Sequence, residues 1–201
     1  MHTSGAPATG APVRSINPMQ PSATLTFRFS KSNPGIWATL LGIGIGIQTP
    51  AGITLKKFLC DQLMIPSDYL ENRIQTILMN SRAVDDVDQA FIADGDVVAL
   101  SAAMPGLAGA TLRRGGHLAP MRAAISQGRS KSVSDGHQSG IVVLKLFNLV
   151  AKEIGPQILS SGFWLKGKDL ILLSGQNIID DDPALETTPE KWIKMQPKVI
   201  S

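Results

Sequence analysis

The residues able to do chemistry are few and far apart along the chain. His2, His117 and His137 are the three histidines, and none is near Cys60, the one cysteine. A lone thiol inside a helical stretch reads as a small packed hydrophobe, not a nucleophile. Asp85, Asp86 and Asp88 form one acidic group; Asp180, Asp181 and Asp182 form another. Neither has the alternating oxygen ligands and closing Glu of a calcium loop, so both read as solvated turns. Gly42-Ile43-Gly44-Ile45-Gly46-Ile47 lacks both the G-x-G-x-x-G spacing and the Gly-Lys-Ser/Thr ending of a phosphate loop. Zinc patterns and nucleophile elbows are absent too. The chain is therefore not expected to be an enzyme on its own, and no cofactor or metal is implied.

One short motif remains. Leu112-Arg113-Arg114-Gly115-Gly116 closes a run of small residues that begins at Gly106. No acidic residue occurs between Val97 and Ser134, while Arg113, Arg114, Arg122, Arg129 and Lys131 all do. Such a cationic, Gly/Ser/Ala-rich segment is expected to be a solvated linker that acidic surfaces attract. It has no interleaved aromatics on which bases could stack, so a protein partner is favoured over nucleic acid.

The elements around that motif follow from periodicity. Thr24 to Phe29 alternates, with Leu25, Phe27 and Phe29 on one face of a strand. The Gly/Ile alternation from Gly42 to Ile47 predicts a strand whose glycine side is approached closely by something bulky. Leu55, Phe58, Leu59 and Leu63 make the apolar stripe of a helix capped by Thr54. Ile77-Leu78-Met79 is a strand ending at Asn80-Ser81. Asp94-Gly95-Asp96 is a turn, because Gly takes positive φ cheaply and Asp bonds its own backbone; it feeds the strand Val97 to Leu100.

Further on, Ile141 to Leu159 reads as a mostly buried helix that Gly155-Pro156 interrupts. Phe163 to Leu165 and Leu170 to Leu173 read as strands around a turn at Lys166 to Asp169. Asp180 to Pro183 reads as a turn, and Thr188-Pro189-Glu190 as the start of a last short helix. Met1 to Ser22 is Pro/Gly/Ala/Ser-rich and expected to be a disordered arm. Hydrophobic residues at 43% are enough for a core, and a single cysteine excludes an internal disulfide, which fits a reducing, cytoplasmic setting. The charge-free stretch from Ile36 to Ile47 is shorter than the roughly 20 apolar residues a bilayer core needs, so no membrane association is expected.

The order strand, strand, helix, strand, strand from Thr24 to Leu100 resembles the ubiquitin-like β-grasp fold, and specifically the sulfur carriers of the MoaD/ThiS type. Ile77-Leu78-Met79-Asn80 stands where that family has an apolar strand ending in Val-Asn. Asp94-Gly95-Asp96-Val97-Val98-Ala99-Leu100 stands at its DGDxVxL strand, and Pro105 at the proline that follows. The resemblance implies a carrier whose Gly115-Gly116 end is the attachment point, with Arg113 and Arg114 docking to an acidic partner. That partner would be an E1-like activating enzyme, which adenylates a terminal carboxylate. Here the chain runs on past Gly116. An internal amide has no carboxylate to activate, so the resemblance also implies a processing protease. The alternative is a non-catalytic β-grasp protein-interaction module that lacks carrier chemistry. The expected fold class is α+β. A disordered arm (1–22) precedes a β-grasp domain (23–112), a basic flexible linker (113–139) and a helix-plus-hairpin, helix-rich C-terminal unit (140–201).

Overall fold

The computed structural model describes residues 24–28, 34–103, 106–118, 139–170, 173 and 188–198. The expected arm, most of the basic linker, Phe29, Pro105, His2, His137 and Asp180 to Asp182 lie outside them. The molecule is mixed α/β. Its strands are β1 (Thr24–Arg28), β2 (Ile45–Pro50), β3 (Thr76–Met79), β4 (Arg82–Ala83), β5 (Val97–Ser101), β6 (Ser139–Phe147), β7 (Phe163–Lys166) and β8 (Trp192–Lys198). Helices are α1 (Pro34–Ile43), α2 (Leu55–Lys57, continued as a π turn Phe58–Gln62), α3 (Ser67–Asn72), α4 (Gly106–Leu112), α5 (Asn148–Glu153), α6 (Gly155–Ser160) and α7 (Gly167–Leu170). No helix among the described residues is long and apolar enough to cross a membrane.

All eight strands join one sheet in the order β1-β8-β7-β2-β6-β5-β3-β4. It is larger than the four strands expected around one helix. β1 lies parallel to β8 at one edge and is not paired with β2. β6 occupies the middle, antiparallel to β2 and parallel to β5. Residues on both sides of the expected boundary at 139/140 thus share one sheet and one core.

Four expected elements are replaced, two of them for a physical reason that the residues themselves show. Ile141 to Phe147 is strand, not helix: a continuous apolar run has no period to separate a buried strand from a buried helix, and the β-branched Ile141-Val142-Val143 settles it. Conversely, the expected strand begins only at Ile45. Trp37, Leu40 and Leu41 give a helical stripe, all at most 5% exposed, that carries α1 through Ile43. Gly44 then ends the helix with φ +117°, its N–H donating to the Leu40 carbonyl at 2.9 Å. The expected final helix at Thr188 is likewise a turn leading into β8, and Gly167 to Leu170 is helical where a turn into a strand was expected. Gly155 starts α6 as the expected break, and a Cβ there would meet Leu41 at 2.5 Å, so glycine lets α1 approach.

The glycine face of β2 is crowded as expected. A Cβ on Gly46 would meet Ile141 Cγ2 and Trp192 Cζ3 at 2.8 Å and Trp164 Cβ at 2.9 Å. The opposite face of β2, Ile45 and Ile47, joins Leu144, Val98, Leu100, Phe163 and Ile193 in the core, which also takes in Leu55, Phe58 and Leu59 of α2 and its π turn. Phe27 closes the far end of this core, its ring 5.2 Å from Phe163 and 5.7 Å from Trp37. Gly46→Ala is expected to lower unfolding stability by about 1–3 kcal/mol through overpacking, read by urea denaturation. An unchanged midpoint would mean that the tryptophans do not pack there.

Candidate functional site

The acidic passage between β4 and β5 is built as a brace for α2. Its carbonyls accept from the first helical amides: Leu55 N donates to Ala90 O at 2.7 Å and Lys56 N to Val87 O at 3.0 Å. Thr54 Oγ1 accepts from Lys57 N at 3.3 Å, the expected cap. Asp86 is spent on its own loop, accepting from Asp88 N at 2.9 Å and Gln89 N at 3.2 Å. Asp88 pairs with Lys56 at 3.2 Å. Among the described residues no group of three or more His, Cys, Asp or Glu could hold a metal ion. Cys60 packs half-buried against the core, with the Ser67 hydroxyl at 3.8 Å.

The two ends of the recognised motif are clamped together. Asn80 and Ser81, at φ 51° and 66°, form the two-residue turn of the β3–β4 hairpin, with both centres left-handed as a type I′ turn requires. The Asn80 side chain then reaches across: Nδ2 donates to Asp96 Oδ1 at 2.8 Å and Oδ1 accepts from Val97 N at 2.9 Å. Asp96 Oδ2 accepts from Ala93 N at 2.7 Å, closing the turn in which Gly95 sits at φ 80°. Asp94 Oδ1 accepts from Ile141 N at 2.7 Å, which ties the same turn to β6. These side chains hold the register between β3, β5 and β6.

The diglycine follows α4 as a turn. Gly115 is exposed at φ 58° with open space around its Cα, and Gly116 N donates to Arg113 O at 3.2 Å. Arg113 points outward, while Arg114 points in. Arg114 N donates to Gln75 O at 2.7 Å, and its guanidinium Nη1 donates to Leu70 O at 3.3 Å. Burial lowers the Arg114 pKa, and Asp85 and Glu71 work against that shift. Arg113, Arg114, Gly115 and Gly116 therefore do lie together, beside the α3–β3 junction, with His117 exposed after them.

Two further groups were not legible in the sequence. Glu153 on α5 accepts from the Tyr69 hydroxyl at 2.6 Å and from Arg73 Nε at 3.0 Å, tying α3 to α5. The hydrogen bond from Arg73, then that from Tyr69, hold the Glu153 carboxyl down at about 2. Burial and then the Glu153 contact push the Tyr69 phenol up. A depressed carboxyl stabilises the fold above its unfolded pKa, and that contribution is lost as pH falls through the folded value. Wild-type stability should therefore fall more steeply than that of Glu153→Gln between pH 4.5 and about 2. Thermal melts across that range check it; parallel profiles would show that the cluster contributes nothing.

The second group is a cleft where the sheet opens. β2 and β7 share one register pair, Gly46 with Trp164. The pairing does not continue to Gln48, and Gly162, just before β7, sits at φ 84°. The gap is a cavity of about 290 Å³ walled by the π turn, α6, β2, β7 and Lys194 of β8. Gln62 closes one side, its carboxamide donating to Gln48 O at 2.5 Å and accepting from Thr49 Oγ1 at 2.6 Å. Long-range pairing creates this space, so no local pattern announces it. Comparison with protein-family models, with curated proteins and with solved structures finds no match to this chain.

Proposed function

We propose that the chain is a non-catalytic protein-interaction module built on a ubiquitin-like β-grasp whose opening strand is Ser139–Phe147 in place of Thr24–Arg28. With β6 in that role, β6, β2, β3 and β5 are the four strands around α2, and the Asp94-Gly95-Asp96 turn keeps its expected place before β5. The observation that carries the reading is the position of the diglycine. Gly115-Gly116 lies in the connection from β5 to its parallel neighbour β6, and the chain after it enters the middle of the sheet. A carrier end would have to be cut out of that crossover. Cutting there would also sever the covalent link between the central strand and β2, β3 and β5.

The working surface in this reading is apolar. Phe147 lies within reach of Gly42 at the end of α1, and with Leu149 and Ile43 it leaves 39%, 44% and 37% exposed side chains in one part of the molecule. Exposed large hydrophobics gathered this way suit a protein partner. The sulfur-carrier reading, with Gly116 as attachment point and an E1-like enzyme and protease as partners, is supported by the exposure of Gly115 alone. Intact mass from native cells separates the two. Full-length chain is the expected result; a species ending at Gly116 overturns the proposal. Capture of a partner should survive Gly116→Ala and fail on Phe147→Ser, and the reverse pattern would favour the carrier.

A further inference from the structure

The cleft beside Gly46 has the makings of a small-molecule site that the interaction reading does not use. Its size is suggestive first: a dry cavity of ~150 Å³ takes a benzene ring, and this one holds about 290 Å³. An aromatic ring with a short substituent fits that space. The walls divide by chemistry. Phe163, Trp164, Ile158 and Leu63 offer apolar surface, and Met64 stands at the rim 67% exposed at φ 56°.

The polar groups lean one way. None of the described residues lining the cleft is acidic. Lys194 lines it on the strand next to Trp164, its register partner, and among the described residues it has no carboxylate partner. Gln48 accepts the Gln62 amide on its cleft side, so by antiparallel parity its N–H points the same way, towards the gap left by Gly162. An ammonium and an outward N–H, with the neighbouring carboxamide already locked by Thr49 and Gln48, make an environment that favours an anion.

We propose that this cleft binds a small organic monoanion with a flat apolar body, of the arylcarboxylate class, its ring against Trp164 and its carboxylate at Lys194. The site is independent of the diglycine and of the apolar patch at Phe147. Phenylacetate and its uncharged counterpart phenylacetamide are suitable probes. Each is titrated into the full chain while the Trp164 indole N–H and the Gln62 side-chain amide are followed by NMR. Phenylacetate should shift both signals and bind about tenfold more tightly than phenylacetamide, the difference one charge-assisted hydrogen bond supplies. Lys194→Gln should erase that preference and leave phenylacetamide binding as it was, while Lys194→Arg should retain it. Equal binding of the two probes, a preference that survives Lys194→Gln, or phenylacetate shifts confined to other residues would each overturn the site. If Lys194→Gln fails to fold, the Lys194→Arg chain and the two-probe comparison on wild type decide alone.

Discussion

A chain ending at Leu118 will not fold. Such a fragment keeps every residue of the expected β-grasp domain, so an autonomous domain there would survive the cut. In the observed sheet it would lose β6, and with it the neighbour of both β2 and β5. Val142, Leu144 and Leu146 are each at most 1% exposed. At about 1.5–3 kcal/mol for each buried side chain, these three alone contribute about 5–9 kcal/mol. That is as large as the ~5–15 kcal/mol by which a domain is stable at all. Phe163, Leu165, Ile193 and Met195 would go with them, stripping the cover from Phe27 and Ile45. Circular dichroism and NMR dispersion of the fragment should therefore report an unfolded chain without a cooperative melt. A cooperative transition in the fragment would restore two separate units.

Leu144→Ala should be the most damaging of the simple truncations, at about 2–5 kcal/mol. Leu144 has no exposed surface and pairs with Ile45 on one side and Val98 on the other, so the cavity opens at the middle of the sheet. Leu149→Ala, on the same stretch of chain but 44% exposed, should stay within about 0.5 kcal/mol. Urea midpoints with unchanged slopes would express the contrast. Similar costs at the two positions would mean that β6 is not central.

What is legible in the sequence is local. The Asp94-Gly95-Asp96 turn, the end of a strand at Asn80-Ser81, the Thr54 cap and the crowding over Gly46 each depend on residues close together, or on a steric demand that one residue type announces. The partners in those features are not visible there: Asn80 clamps Asp96, and Asp94 holds Ile141. Ile141 to Phe147 reads as helix because its apolar residues run almost without a break, which leaves no period to separate strand from helix. Thr24 to Arg28 reads correctly as a strand but with the wrong neighbour, since alternation states which face is buried but not which strand lies alongside. The same limit hides the cleft, whose walls come from the π turn, α6 and three strands. The site residues Arg113 to Gly116 are found together because they are contiguous, yet the inward turn of Arg114 depends on Leu70 and Gln75.

Hydrogen exchange on the Leu144→Ala chain tests most directly whether β6 holds the two sides of the molecule together. Amides of Met79 and Val98 lie on one side of it, and those of Ile193 and Met195 on the other, beyond β2 and β7. The result expected is an equal loss of protection in both groups, because they open as one cooperative unit. Wild-type protection at Ile193 and Met195 alongside weakened protection at Met79 and Val98 would contradict it.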